Sequence, residues 1–437
     1  MKKKALLLTL LATILTSNAQ ADEHGVWFEI PVYDYPFNNS DDNPPDWFSM
    51  RQSMSLSTSY IQTVHRVLGG DNTHEEGLWW RYGLMAAYDF ATMTYPIGPG
   101  WAHEEWHRAV MTRHQISSFN EMNAWPTGSA VVAVDHVSDD ALIALKRDHP
   151  ADQVRLSSAG MEAQVYQNLK VEESHFFRDA RSRDETLLWL NALNVTSYML
   201  QCAGPDADTT TDDEMAEEGA NVKIRDFTGL DCTAWVYDLF RPDEAYTARG
   251  THPSGVGIKR YIKWSDLNGQ EQDFLSLQSK LSYLNFLDPF LLGIKDFRTS
   301  WGRINAKTSH YLTSFGGNID LHVFLDIHNS KWLVTLHNGM TNKRYFPGLT
   351  VKWVAAEIAD SLHMTLSGTG WAQPKDQRFD ATETDMLVDG AVEFTYRGHN
   401  RVEYFVGYEV KTPGFVAGNV YLDSNWSAYT GFRVGMF

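Results

Sequence analysis

His103-Glu104-x-x-His107 is the stretch of this 437-residue chain whose residue types and spacing suit metal chemistry. On an α-helix, positions i and i+4 share a face, so both imidazoles can reach one ion. Glu104 then stands beside the open coordination position, where a carboxylate can take a proton from water. The flanking residues allow such a helix. Tyr-Pro-Ile-Gly-Pro-Gly at 95–100 ends one helix and frees the next to begin near Trp101, and neither Pro nor Gly follows until Pro126. An ordinary helix can carry the same residues by accident, so the reading turns on a third ligand.

A catalytic zinc site takes three protein ligands plus water. The extended motif with a Gly and a third His is not met, because the corresponding positions hold Val110 and Arg113, with His114 one step late. Further on, Ser157-Ser158-Ala159-Gly160-Met161-Glu162 sets Glu162 among small residues that let two helices pack closely. In pairing HExxH with a downstream helical Glu, the chain resembles the gluzincin class of zinc peptidases. That resemblance rests on the motif and the single Glu. It implies His103, His107 and Glu162 as zinc ligands and Glu104 as general base, and it leaves most of the protein unassigned. The alternative is Glu162 as an ordinary exposed helix residue, with Glu172, Glu173 and His175 as reserve ligands. Tyr166 or His175 could serve as oxyanion donor, aromatic packing being the alternative for Tyr166, and Asp135 with His136 could orient a ligand, a turn at a strand end being the alternative. No G-x-S-x-G elbow is present, which argues against a serine nucleophile.

The positioning elements come next. Residues 1–21 read as a cleaved secretion signal: Lys2-Lys3-Lys4, an apolar run over 5–15, and Asn18-Ala19-Gln20-Ala21 before Asp22. The net charge of −18 argues against nucleic acid as a partner. The two cysteines, Cys202 and Cys232, bracket an acidic segment at 204–219 that reads as a flexible loop. In an oxidising compartment they are expected to form a disulfide, two buried thiols being the alternative.

Residues 22–73 read as an N-terminal strand and loop region. Its strand lies at 26–33, and the stretch 53–68 is compatible with either strand or helix. Residues 74–300 read as a helical unit, with helices at about 74–95, from 101, and at 138–145, 157–175, 184–200, 233–240 and 259–293. Residues 301–437 change to period two: 319–328 alternate with only Phe324 out of phase, and Val402/Tyr404/Val406/Tyr408/Val410 repeats the pattern. Asn338-Gly339 and Gly398-His399-Asn400 supply hairpin turns. The result is an antiparallel meander of eight or nine strands.

Together with the secretion signal, 15 Trp, 19 Tyr and a terminal Phe437, this meander resembles a bacterial outer-membrane β-barrel. Phe432, Val434 and Met436 depart from the pattern by lying out of phase with Phe437. A soluble β-domain is the alternative. In a barrel, Asp320, His322, Asp326 and His328 point inward, and Ile319, Leu321, Val323, Leu325 and Ile327 outward. The expectation is therefore an α+β protein: a helical zincin-like unit followed by a barrel in contact with outer-membrane lipid, the periplasm being the alternative location. The activity expected is zinc-dependent hydrolysis of a peptide or other amide or ester substrate. The rival is a non-catalytic barrel, structural or transporting, with an incidental His cluster. The oligomeric state is left open.

Overall fold

The computed structural model describes residues 25–39, 48–70, 79–124, 133–180, 182–398 and 401–436. The expected leader, the helix start at 74–78 and Phe437 lie outside them. In chain order the strands are β1 (Val26–Tyr35), β2 (Phe119–Asn120), β3 (Val134–Asp135), β4 (Phe297–Thr299), β5 (Gly302–Thr313), β6 (Gly316–Ile327), β7 (Ser330–Met340), β8 (Tyr345–Ala359), β9 (Leu362–Pro374), β10 (Thr384–Arg397), β11 (Val402–Lys411) and β12 (Asn425–Met436). The helices are α1 (Met50–Gly69), α2 (Trp79–Thr92), α3 (Pro99–Arg113), α4 (Asp139–Asp148), α5 (Pro150–Phe177), α6 (Glu185–Cys202), α7 (Asp206–Glu218), α8 (Asp231–Phe240) and α9 (Gly269–Leu281).

Ten strands form one antiparallel sheet in the order β1-β12-β11-β10-β9-β8-β7-β6-β5-β4. The meander is as the alternation implied, and β1 from the N-terminal region adds an edge strand beside β12. The barrel expectation is not met as stated: among the described residues β4 and β1 do not pair, so the sheet is open.

Along several strands exposed apolar residues alternate with buried polar ones. On β11, Tyr404, Val406, Tyr408 and Val410 are exposed, while Glu403, Glu409 and Lys411 are buried. On β6, Asp320 and His322 are buried and Leu321 is exposed, as anticipated; Asp326 turns inward to Arg303 at 2.7 Å. His328 does not follow, because it sits exposed in the β6–β7 turn at φ +49°. Several of the buried charges are paired, as burial favours. Lys307 meets Glu172 at 2.7 Å and Lys352 meets Glu173 at 2.6 Å, tying α5 to the inner face of the sheet. Arg433 bridges Glu29 and Glu393 at 2.5 and 2.9 Å.

The inner face wraps α1 and α5, and that explains α1. Its alternating serines look like a strand, but the segment folds as a helix behind a Ser49–Gln52 capping box. Its surroundings are polar on several sides. Ser55 donates to Glu29 at 2.6 Å, Ser59 accepts from the Glu29 amide at 3.0 Å, and Ser57 accepts from Gln167 at 3.1 Å. A cavity of about 380 Å³ remains between these helices and the sheet.

Three further expectations need correction. The acidic segment 204–219 is not a loop: it folds as α7, held by the stripe Ala207, Thr211 and Met215 at i, i+4 and i+8. Asn338-Gly339 is not a turn but lies inside β7, where a Cβ on Gly339 would come within 2.9 Å of the Phe315 ring. The chain reverses instead at 341–344, where the Thr341 amide donates to the Arg344 carbonyl at 2.9 Å. Within 259–293, only Gly269–Leu281 is α-helical, followed by the short 3-10 turns Ser282–Phe286 and Pro289–Leu292. Among the described residues, no helix is long and apolar enough to cross a membrane.

Candidate metal centre

The helix that carries HExxH is α3, opened by Pro99 at its first position and closed by His114, and all its residues but Arg113 are buried. His103 and His107 lie one turn apart, with ring centroids 5.0 Å from each other. The third member is Asp231, whose Oδ2 lies 3.2 Å from His103 Nε2 and 3.3 Å from His107 Nε2. One donor atom from each of the three falls within 4.8 Å of the others.

The donors are arranged as ligands need to be. His107 Nδ1 donates to the Leu156 carbonyl at 2.6 Å, which leaves the Nε2 lone pair facing the cluster. That buried Nε2 has no hydrogen-bond partner. Burial disfavours the Asp231 carboxylate, but His107 and His103 outweigh it and hold its pKa down at about 2. Its place as the first residue of α8 adds the favourable helix N-terminus. Glu104 is buried with Oε1 3.9 Å from His103 Nε2, and its side chain makes no hydrogen bond among the described residues. Burial raises its pKa to about 8; His103 opposes this, while Asp226, Asp231 and Glu105 add to it. Glu105 is structural, held by Arg108 at 2.6 Å and Asn120 at 2.9 Å.

Helix α5 closes the site with a glycine. A Cβ at Gly160 would stand 2.2 Å from His103 Nε2 and 2.3 Å from His107 Nε2. This geometry explains why Glu162 is not the third ligand. Two residues along a helix is a rotation of about 200°, so with Gly160 against the histidines, Glu162 points the other way. There it is clamped by Arg155 (Nη2 to Oε1 3.1 Å) and accepts from the Gly418 amide at 2.9 Å. The small-residue run allowed the close approach as anticipated, but the residue that uses it is Gly160.

The other candidates are placed elsewhere. His175 contacts Asp184 at 2.9 Å, Tyr166 packs on Trp106 at a ring-centroid distance of 5.6 Å, and Glu172 and Glu173 pair with lysines of the sheet. Asp135 bonds His136 at 2.6 Å, and His114 lies against His149 with ring centroids 4.6 Å apart and the rings tilted by 45°. Tyr198, not singled out from the sequence, accepts from the Asp231 amide at 2.9 Å, and its ring centroid lies 6.5 Å from that of His103.

Cys202 and Cys232 form the expected disulfide. It joins the end of α6 to the residue after Asp231, so it helps position the third ligand. Asp226 completes the approach loop by accepting from the Gly229 and Val134 amides at 2.8 and 3.1 Å. Removing the disulfide in a Cys202→Ala/Cys232→Ala protein is expected to weaken metal affinity ~10–100-fold, the range typical of outer supports. It should also lower stability by roughly 3 kcal/mol, because the unfolded chain is no longer restricted by the closed loop. Competition against a chelating dye and chemical denaturation read the two effects.

The sequence matches no protein-family model, and no curated protein is significantly similar to it.

Proposed function

We propose that this protein is a zinc-dependent hydrolase seated in a bacterial outer membrane, cleaving an amide or ester bond. The observation that carries the hydrolase reading is the buried His103–His107–Asp231 cluster with an unbonded carboxylate, Glu104, at its edge. Two imidazoles and a carboxylate are a donor set suited to zinc. A divalent cation there would polarise the substrate's carbonyl oxygen and acidify a water molecule. Glu104 accepts the proton of the attacking water at a carboxylate oxygen and returns it to the departing nitrogen or oxygen. Asp231 and His107, fixed by Tyr198 and the Leu156 carbonyl, hold the ligand geometry while this occurs.

The membrane reading is supported by the apolar outer and charged inner faces of the sheet, the arrangement a bilayer selects. Val323→Arg, on the outer face of β6, is then expected to cost about 2–4 kcal/mol of assembly in membranes, with His322→Arg better tolerated. Heat-modifiable mobility of the membrane fraction measures this, and the reverse order would refute the face assignment.

Metal analysis of protein purified from the membrane fraction tests the hydrolase reading. One zinc per chain is expected, lost in Asp231→Asn. Glu162→Gln should keep the metal yet destabilise the fold by roughly 3–5 kcal/mol, because Arg155 is left as a buried unpaired charge. Zinc lost from Glu162→Gln but kept by Asp231→Asn would restore the original ligand set. Absence of any metal would leave a non-catalytic protein.

A further inference from the structure

The sides of the open sheet are partly covered. On one side α1 lies along β1, with Ser59 accepting the Glu29 amide. On the other, the short edge strand β4 is exposed and pairs with the first residues of β5, and the turn Ser282–Phe286 and the residue after it cover the rest of β5. The Thr308 amide donates to the Leu287 carbonyl at 3.0 Å, and Asn285 exchanges bonds with the His310 backbone at 2.7 and 3.1 Å. Between these two sides stand α2 and α6. Trp189 of α6 donates to the Leu291 carbonyl at 2.8 Å, and Thr186 of α6 donates to Asp89 of α2 at 2.5 Å. Asp89 in turn holds His65 of α1 at 2.7 Å. A ring of contacts therefore runs from β5 through the turns, α6, α2 and α1 back to β1.

This helical segment shares the apolar outer side of the sheet. Its inner side carries the buried polar groups His65, Asp89, Asp184 and Asn191, together with the buried apolar Leu187, Leu188 and Val195 of α6. The outer side of α2 is Trp79, Trp80, Gly83, Leu84, Ala86, Ala87, Phe90 and Ala91, without a charge; Phe90 is 76 % exposed and Leu84 42 %. On α6, Trp189, Leu193 and Leu200 face out, with the polar Ser197 and Gln201 exposed toward its C-terminal end, and Leu287 and Leu292 continue the apolar surface toward β5. At 1.5 Å per residue α2 and α6 are about 21 and 27 Å long, close to an apolar band of about 25 Å.

We propose that α2 and α6 complete the membrane wall, closing the sheet with a helical panel whose outer face meets lipid acyl chains. The inference rests on the outer-membrane reading. It answers the physical difficulty of an open sheet in lipid, where unpaired edge amides and carbonyls have no water to bond. Here helix and turn groups take several of those bonds, at the Glu29, Thr308 and His310 backbone. α2 turns Asp89 and Thr92 inward, and α6 turns Asn191 and Thr196 inward among apolar neighbours; among the described residues neither is long and apolar enough to cross a membrane by itself.

Site-directed spin labels test it in the full chain reconstituted in phospholipid vesicles. The native cysteines are joined, so single labels can be placed by Phe90→Cys or Leu193→Cys on the panel, Val406→Cys on the outer sheet face and Thr350→Cys on the inner. Collision with oxygen, which concentrates in the bilayer, is compared with collision with a water-soluble nickel chelate. The expected result is an oxygen-to-nickel ratio at 90 and 193 equal to that at 406 and inverted relative to 350. Nickel access at 90 and 193 with oxygen access at 406 would overturn the panel and keep the membrane reading. Nickel access at 406 as well would overturn both. Exclusion of both reagents at 90 and 193 would mean a protein partner, such as a second copy, and would also overturn the proposal.

Discussion

Replacing Gly160 with alanine is expected to empty the metal centre while leaving the helix that carries it intact. A mid-helix Gly→Ala change ordinarily stabilises by about 1 kcal/mol, because alanine loses less backbone entropy. Here the added methyl would stand 2.2 Å from His103 Nε2, 2.3 Å from His103 Cδ2 and 2.3 Å from His107 Nε2. No heavy atoms pack that closely, so the imidazoles must rotate away, and the Leu156 bond that orients His107 must break or bend. The two effects separate experimentally. Thermal unfolding of the chelator-treated variant should change little, while zinc affinity measured by dye competition should fall at least ~100-fold, above the usual range for losing a single outer support. Unchanged affinity would mean that α5 does not press on the ligands.

The second large effect is expected from Glu104→Gln. Glutamine keeps the size and shape of the side chain but cannot accept the proton of the attacking water. Hydrolysis should fall about 10²–10⁴-fold, the usual contribution of a positioned acid or base. The zinc content should stay at one per chain, because Glu104 lies beside the cluster of ligand atoms and not within it. Retained turnover would remove Glu104 from the mechanism. Lost zinc would make it a ligand. Asp231→Asn differs in both readouts, since it takes the metal and the activity together.

The two substitutions mark how much of the site was legible along the chain. His103, Glu104 and His107 are neighbours on one helix, so their spacing alone set their geometry. Asp231 lies 128 residues beyond His103 and enters as the first residue of another helix, tethered by the neighbouring disulfide. The sequence held two hints, the Asp226-x-x-Gly229 turn and the adjacent Cys232, but neither names a metal ligand. Glu162 was the natural guess because it follows a run of small residues. Which face of α5 turns toward α3 is a matter of packing, and packing chose Gly160.

What the chain itself determined was local: period two across 319–410, the i, i+4 pair of histidines, and a disulfide between the only two cysteines. Each follows from backbone geometry or from the inventory of residues, and each needs no knowledge of neighbours. Tertiary structure decided the rest. It put polar side chains on the inner face of the sheet and apolar ones outside, made the serine-rich 53–59 helical by surrounding it with polar partners, and left the sheet open with helices along its edges. Alternation has no sign, and a helix has no preferred face until another element is laid against it.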